Sequence, residues 1–406
     1  MTDLATHHFQ TRASPAAARR AALACMAALA VALGVGRFAF TPLLPLMLHG
    51  GGLDIKHGGW LASLNYGGYF LGAIACAALR IDAARMVKAG LALTVLLVLA
   101  MGVTHQFWVW AVVRFVAGAV SAWTFVFASQ WGLRRLAELG ANEWGGVIYT
   151  GPGFGIAATG LLVSAAGGYG ASAGWIGFGL ASAVITALVW RTFASTPAVK
   201  TTARSAAPKS HAQHHRVHLH RADAFWLIVL YGVPGFGYII TATFLPVIAR
   251  AALPAGSPWP DLFWPMFGAA LVAGALAGAR LPSHWDNRVL LAGCYVLQAL
   301  GIAAGIVSPT AGGFALGSAL IGLPFTAITL FAMREARRLH GDDAAGLMGY
   351  ATAAYGLGQI AGPLVAAPIA AHTGSFTPAL SLAAGALLAG AAGLVAVALA
   401  RPVSRA

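Results

Sequence analysis

The chain has 406 residues, of which 59% are hydrophobic and 9% charged. A soluble domain of this size carries about a quarter of its residues as charges, so a water-soluble globule is excluded and lipid is the main solvent. The formal charge of +14 would suit a nucleic-acid binder, but its placement along the chain and the lack of a basic–aromatic motif exclude that class.

In chain order, apolar runs fall at 21–47, 57–79, 86–104, 107–131, 143–166 and 172–192. After a polar stretch they resume at 225–249, 262–281, 289–307, 310–333, 344–370 and 376–400. Each is near the ~20 residues a helix needs to cross the hydrocarbon, which predicts an all-α membrane protein of twelve spans. An even number of spans puts both termini on one side. All but four of the 25 Lys and Arg fall in the tails and in the loops on that side. Lys56 and Arg250 lie on the other side, and Arg37 and Arg114 lie inside spans. This bias places both termini in the cytoplasm. Arg19-Arg20 before an apolar run resembles a secretory signal, but the run is too long and eleven spans follow it. Cys25, Cys76 and Cys294 all fall in spans, without metal or disulfide spacing, and read as packing residues.

The domain organisation follows: a tail over 1–20, six spans over 21–192, a cytoplasmic linker over 193–224, six spans over 225–400 and a tail over 401–406. The linker holds Pro197, Pro208 and five histidines between His211 and His220. Such a run can bind metal, but no cysteine or carboxylate frames it, so a solvated loop is expected.

Span 1 contains Gly34-Val-Gly-Arg-Phe-Ala-Phe-Thr-Pro-Leu-Leu-Pro-Leu46, with Arg37 the one charge between Ala21 and Leu48. A charge inside a span marks a candidate functional site. Pro42 and Pro45 remove backbone donors, which predicts a bend or unwinding at the outer end. The two halves repeat one another. Gly34, Gly36 and Pro45 recur as Gly235, Gly237 and Pro246; Gly72-Ala-Ile-Ala as Gly274-Ala-Leu-Ala; Arg85 and Gly90 as Arg288 and Gly293; Gly151-Pro152 as Gly362-Pro363. Parallel six-helix repeats about an axis along the membrane normal are a transporter architecture.

On these residues the chain resembles the major facilitator superfamily over its whole length. Gly36-Arg-Phe-Ala-Phe-Thr-Pro-Leu-Leu-Pro45 is similar to the bacterial YbfB/YjiJ-like branch. The resemblance implies two six-helix bundles, an inner-membrane location and a cavity lined by spans 1, 4, 7 and 10. Arg114-Phe-Val-Ala-Gly118 fits the superfamily's Arg-x-x-x-Gly pattern in span 4. Gly151-Pro152-Gly153-Phe154-Gly155 resembles the glycine–proline motif of proton antiporters, with Ile156 at a usual glycine position. The loop after span 2 departs from the superfamily's Gly-x-x-x-Asp-Arg, with Cys76 at the acidic position. Asp82/Arg85 and Asp286/Arg288 are the candidates to replace that charge latch, and Gly151, Pro152, Gly362 and Pro363 are gating candidates.

Counted from span centres at 1.5 Å per residue, Arg37 and Arg114 lie at similar depth, so both can face one cavity. All eleven carboxylates fall in loops, tails or the end turns of the expected spans, leaving no embedded acid to pair them. Unpaired guanidinium groups favour a carboxylate or phosphate ligand. Tyr66, Trp123, Tyr149, Tyr238, Tyr355 and Gln359, and with them Asn65, Tyr69, Gln130, Tyr231, Thr241, Thr326 and Thr329, are further candidates to complete a site, interhelical hydrogen bonding being the other reading of each. Gly68-x-x-x-Gly72 and Gly274-x-x-x-Gly278 predict close helix contact. Gly151-x-Gly153-x-Gly155 follows no strand and is not a nucleotide loop.

The expected function is secondary transport of a small organic anion by a monomeric carrier without cofactor or enzymatic activity, with protons a candidate coupling ion. The alternatives are a proton-coupled exporter of drugs or amphipathic metabolites, for which His49, His57 or Glu143 would have to titrate, and a non-transporting membrane sensor.

Overall fold

The computed structural model describes residues 15–50, 52–76, 81–166, 168–193, 217–278, 280–282, 284–341 and 344–401. Most of the expected linker lies outside them, with His211, His214 and His215 of its histidine run. Among the described residues, eleven helices are long and apolar enough to cross a membrane. Helix 1 is Pro15–His49, helix 3 Ala83–Val103, helix 4 Phe107–Glu138, helix 5 Asn142–Ala165 and helix 6 Ala171–Val189. Helix 7 is Val217–Ala252, helix 8 Trp259–Gly278 and helix 9 Asn287–Val307. Helix 10 is Ala311–His340, helix 11 Ala345–Thr373 and helix 12 Thr377–Ala400. Helix 2, Ile55–Cys76, is a further 22-residue rod; Lys56, His57, Asn65 and two tyrosines make it more polar than the others.

Three helices are interrupted where the sequence removes donors or side chains. Helix 10 breaks at Leu323-Pro324, between Ala311–Gly322 and Phe325–His340. Helix 5 restarts at Gly151–Ala165 with Pro152 in its first turn, where a missing N–H costs nothing. Helix 1 runs as α-helix over Pro15–Leu29, as π-helix over Ala30–Val35, as turns to Ala39, and as α-helix again over Phe40–His49. The break therefore precedes the prolines rather than following them. Pro42 sits in the first turn of the new segment and Pro45 inside it, where the helix continues to His49.

Glycines set how closely helices approach. A Cβ on Gly68 would lie 1.8 Å from the Phe115 carbonyl oxygen, and one on Gly274 would lie 1.7 Å from the Leu323 carbonyl oxygen. Helices 2 and 4, and their counterparts 8 and 10, thus meet backbone to backbone.

The halves join through helix 2 on helix 11, helix 5 on helix 8 and helix 1 on helix 7. Among the described residues four hydrogen bonds cross: Arg37 to Gln359, Thr41 to the Ala242 carbonyl, Ser63 to the Ile360 carbonyl, and Tyr66 with Thr243. All four use the second part of helices 1 and 7 and the first part of helix 2, the end away from where the chain enters the bundle. The larger core cluster is continuous across both halves there, through Phe40, Leu44, Leu61, Ile240, Phe244 and Trp264. A second cluster, from Ala18 to Phe193, belongs to the first half alone.

Candidate functional site

The break in helix 1 creates the site. An added Cβ on Gly34 would fall 2.4 Å from the Gly155 Cα, so helices 1 and 5 touch through their backbones. Beyond this point the Gly36 and Phe38 N–H groups reach back five residues, to Val31 (2.9 Å) and Leu33 (3.0 Å). Pro42 has no N–H to give the Phe38 carbonyl. The Thr41 N–H takes it instead at 3.2 Å, which leaves the Arg37 carbonyl without its helical donor. Arg114 fills the gap, donating from Nη2 to the Arg37 carbonyl at 3.1 Å and from Nη1 to the Gly36 carbonyl at 3.3 Å. Its guanidinium also lies over Phe40, 4.7 Å from the ring centre. The backbone carbonyl of Arg114 in turn accepts from Asn65 Nδ2 at 2.8 Å.

Held in this way, Arg37 points into an aromatic cage between the halves. Its guanidinium lies 4.0 Å from the Tyr69 ring centre and 5.1 Å from those of Tyr66 and Phe38. Nη2 donates to Gln359 Oε1 at 2.8 Å, and Gln359 Nε2 donates to the Tyr238 hydroxyl. Tyr238 stacks on Tyr355 (6.0 Å, 22°), and Tyr355 on Tyr231 (5.0 Å, 27°). Phe325 meets Tyr238 edge-on at 5.0 Å. The Tyr66 hydroxyl pairs with Thr243 Oγ1 at 3.0 Å, and Tyr231 donates to Thr329 Oγ1 at 3.1 Å.

Arg37 is 4% exposed and Arg114 1%, and among the described residues neither has a carboxylate partner. Desolvating an ion costs several kcal/mol. Cation–π contacts offset about 2 kcal/mol or more when desolvated, and hydrogen bonds to a neutral amide do not neutralise the charge. The Nε atom of Arg37 has no partner among the described residues. The cage thus holds a cation with neutral surroundings and one unused donor.

Of the expected cavity residues, the structure gathers Arg37, Tyr66, Tyr238, Tyr355 and Gln359 into this group. Arg114 lies behind Arg37, on the backbone. Trp123 and Tyr149 pack instead on the first half's own core, Tyr149 beside Phe125 at 6.1 Å. Phe38 and Phe325 complete the cage and carry no signal of polarity or repeat that would single them out in the sequence, whereas Thr243, which bonds Tyr66, carries the same hydroxyl signal as Thr241 in that span.

The span 5 motif faces two ways. Gly151 packs on the Met26 carbonyl and Gly155 on Gly34, both in helix 1, whereas Gly153 packs on Gly268 and Val272 in the other half. Residues four apart share a helix face and the one between them lies opposite. The second half repeats this: Gly362 packs on Ile239 of helix 7, and Pro363 approaches Gly59 of helix 2.

The two acid–arginine pairs differ. Asp82 caps helix 3, accepting the Arg85 N–H at 3.0 Å. Asp286 caps helix 9 through the Arg288 N–H at 2.9 Å and also binds that guanidinium, accepting from Nε at 3.1 Å and Nη2 at 2.7 Å. Burial alone would raise the Asp286 carboxyl, but the Arg288 donors outweigh it and hold it below the usual carboxylate range.

One carboxylate corrects the sequence expectation. Glu335 lies not in a loop or an end turn but within Phe325–His340, its side chain 2% exposed. It accepts from Arg338 Nη2 at 2.6 Å and Nε at 2.9 Å, with Arg288 Nε 3.8 Å away. Helix 10 continues past 333, where the expected span ends, and buries Glu335, Ala336 and Leu339 in that extension. Arg288 further donates to the Val397 and Arg401 carbonyls, and Arg401 pairs with Asp223 at 2.5 Å. Helices 7, 9, 10 and 12 are tied at that end. His49, His57 and Glu143 are all exposed. His57 pairs with Asp54 at 2.9 Å, and the His57 N–H bond holds the Asp54 carboxyl below its usual range.

The fold is that of known carriers. A crystal structure of the nucleoside transporter NupG superposes with a TM-score of 0.68 at 12% identity, covering 94% of this chain and 98% of that one. A point mutant of NupG gives a TM-score of 0.65 at 14% identity over the same shares. No curated protein matches the sequence. The family described as "Uncharacterised MFS-type transporter YbfB" matches residues 29–396, nearly the whole helical part and the Arg37 segment with it. The chain belongs to this YbfB-like family of major facilitator transporters, multi-pass proteins of the membrane.

Proposed function

We propose that the protein carries a small organic anion across the bacterial inner membrane by alternating access, with Arg37 as the charge clamp. One observation carries this: a buried guanidinium at the joint between the halves, with an amide and aromatic rings as neighbours and no acid among the described residues. A carboxylate entering the cage supplies the missing negative charge and takes Arg37 away from Gln359 Oε1. The same event releases the bond that ties helix 1 to helix 11, so ligand affinity differs between the joined and parted halves, as a population shift requires. Tyr66 and Tyr238 line the cage, and Arg114 acts as a positioning residue that keeps the unwound backbone of helix 1 in place. With helix 2 as the twelfth span, the Lys/Arg bias puts both termini in the cytoplasm. The halves are then joined at the outer end, an inward-facing state. Gly151, Pro152, Gly362 and Pro363 serve as the pivots on which each bundle rocks, and the Asp82/Arg85 and Asp286/Arg288 ends as its cytoplasmic fastenings.

The test is uptake of labelled carboxylates by reconstituted protein. Arg37→Gln is expected to lower uptake by at least about 100-fold while folding is preserved; wild-type uptake by this variant would exclude the clamp. A second reading rests on the parallel Tyr231–Tyr355–Tyr238 rings and the Gln359 amide, which suit a flat, neutral heterocycle such as the nucleoside named for NupG. Nucleoside uptake that survives Arg37→Gln but not Tyr355→Ala would favour it.

A further inference from the structure

A groove of about 550 Å³ lies between helices 3 and 6, on the outside of the first bundle and away from the Arg37 cage. Its volume is within the range of small-molecule sites. Its walls are small side chains at helical spacing, Ala92 and Val95 on one side and Ala183 and Ala187 on the other. Leu180, Val184 and Leu188 are exposed beside it, as expected where lipid is the solvent.

The groove is apolar along its length and cationic at one end. Trp190 and Arg191 close that end, and Lys88 reaches over the Trp190 ring, Nζ 5.5 Å from its centre. Among the described residues neither Lys88 nor Arg191 has a carboxylate partner, and Asp82 at the same end caps helix 3. Thr186 lines the floor; it is 7% exposed and its hydroxyl has no partner among the described residues. A tryptophan beside basic residues at a helix end marks the membrane–water interface, and basic pockets between transmembrane helices suit anionic headgroups. From Ala183 to Arg191 the wall is roughly 12 Å long at 1.5 Å per residue, so headgroup and upper acyl chain have separate places.

We propose that this groove binds an anionic phospholipid, its phosphate between Lys88 and Arg191 and an acyl chain along Ala92, Val95, Ala183 and Ala187. The occupant is a membrane lipid rather than a soluble phosphate, because most of the groove offers no polar contact.

The test is native mass spectrometry of the full-length protein released from detergent with phosphatidylglycerol or with phosphatidylcholine of the same acyl chains. Wild type is expected to retain phosphatidylglycerol and not phosphatidylcholine. Lys88→Gln with Arg191→Gln should weaken retention about 25-fold, roughly fivefold for each charge near the surface. Ala187→Trp fills the groove and should abolish retention although both cations remain. Should the double variant fail to fold, Lys88→Gln alone is expected to show the fivefold loss, with Lys88→Arg restoring wild-type retention. Equal retention of phosphatidylcholine, undiminished retention by Ala187→Trp, or displacement of the lipid by glycerol 3-phosphate at equal concentration would overturn the proposal.

Discussion

Position 37 in the first half carries a guanidinium, and its repeat counterpart in the second half, Tyr238, carries a phenol. Both side chains end on one amide, Gln359, which accepts from the arginine and donates to the tyrosine. The shared scaffold brings the two positions face to face, and the unequal chemistry allows them to meet, since two guanidinium groups there would repel at close range in a dry site. The terminal end of the bundle shows a second inequality. The second half buries Glu335 among Arg338, Arg288 and Asn287, while the acid of the first half's corresponding end, Glu138, pairs with Arg134 and Arg135 on an exposed face. The buried cation at the joint thus comes from one half and the buried ionic cluster from the other.

The comparison can be broken most severely by making the halves alike. Tyr238→Arg would put a second cation on Gln359 and is expected to cost about 4 kcal/mol or more, read as loss of folded protein in equilibrium unfolding in detergent. Next comes Glu335→Gln, which strips Arg338 and Arg288 of a buried partner and should cost about 3 kcal/mol. Glu138→Gln, the control on the other half, should stay within about 1 kcal/mol. Gly68→Ala and Gly274→Ala test where the halves agree. Each forces a Cβ onto a carbonyl, so both should lose a similar ~1–3 kcal/mol in the same assay.

The smallest effect is on pH. The Asp286 carboxyl is held low, so its contribution is present above the unfolded carboxylate pKa of about 4. It is lost as pH falls through the lower folded value. Melting temperature measured from pH 6 to pH 3 should fall in wild type and fall less in Asp286→Asn.

Much of this was legible in the sequence for physical reasons. Apolar runs near twenty residues and paired glycines have few other solutions, so the helical layout and the close contacts at Gly68 and Gly274 could be read directly. Arg37 stood out because an embedded charge is rare. Its partner Gln359 and counterpart Tyr238 could be listed as polar residues in spans, but no pattern in the sequence says that they meet. Pro42 and Pro45 predict a break at the outer end of helix 1. It falls before them because Pro42 is tolerated in the first turn of the segment it begins, and the disruption passes back to the carbonyls of Gly36 and Arg37. The role of Arg114 follows from those freed carbonyls and was hidden for the same reason. Glu335 is not legible as buried because hydropathy ends a span at the first charges, whereas the helix continues and buries this one against Arg338 of its own helix and Arg288 and Asn287 of helix 9.

The most direct measurement of the clamp is ligand-induced stabilisation of purified wild type and Arg37→Gln across a panel of small carboxylates and their neutral amides. A ligand at a hundred times its Kd stabilises by about 2.7 kcal/mol. The result expected is a rise in melting temperature for wild type with at least one carboxylate, none with its amide, and none for Arg37→Gln with either. Equal stabilisation of the variant by the carboxylate would contradict a charge clamp at Arg37.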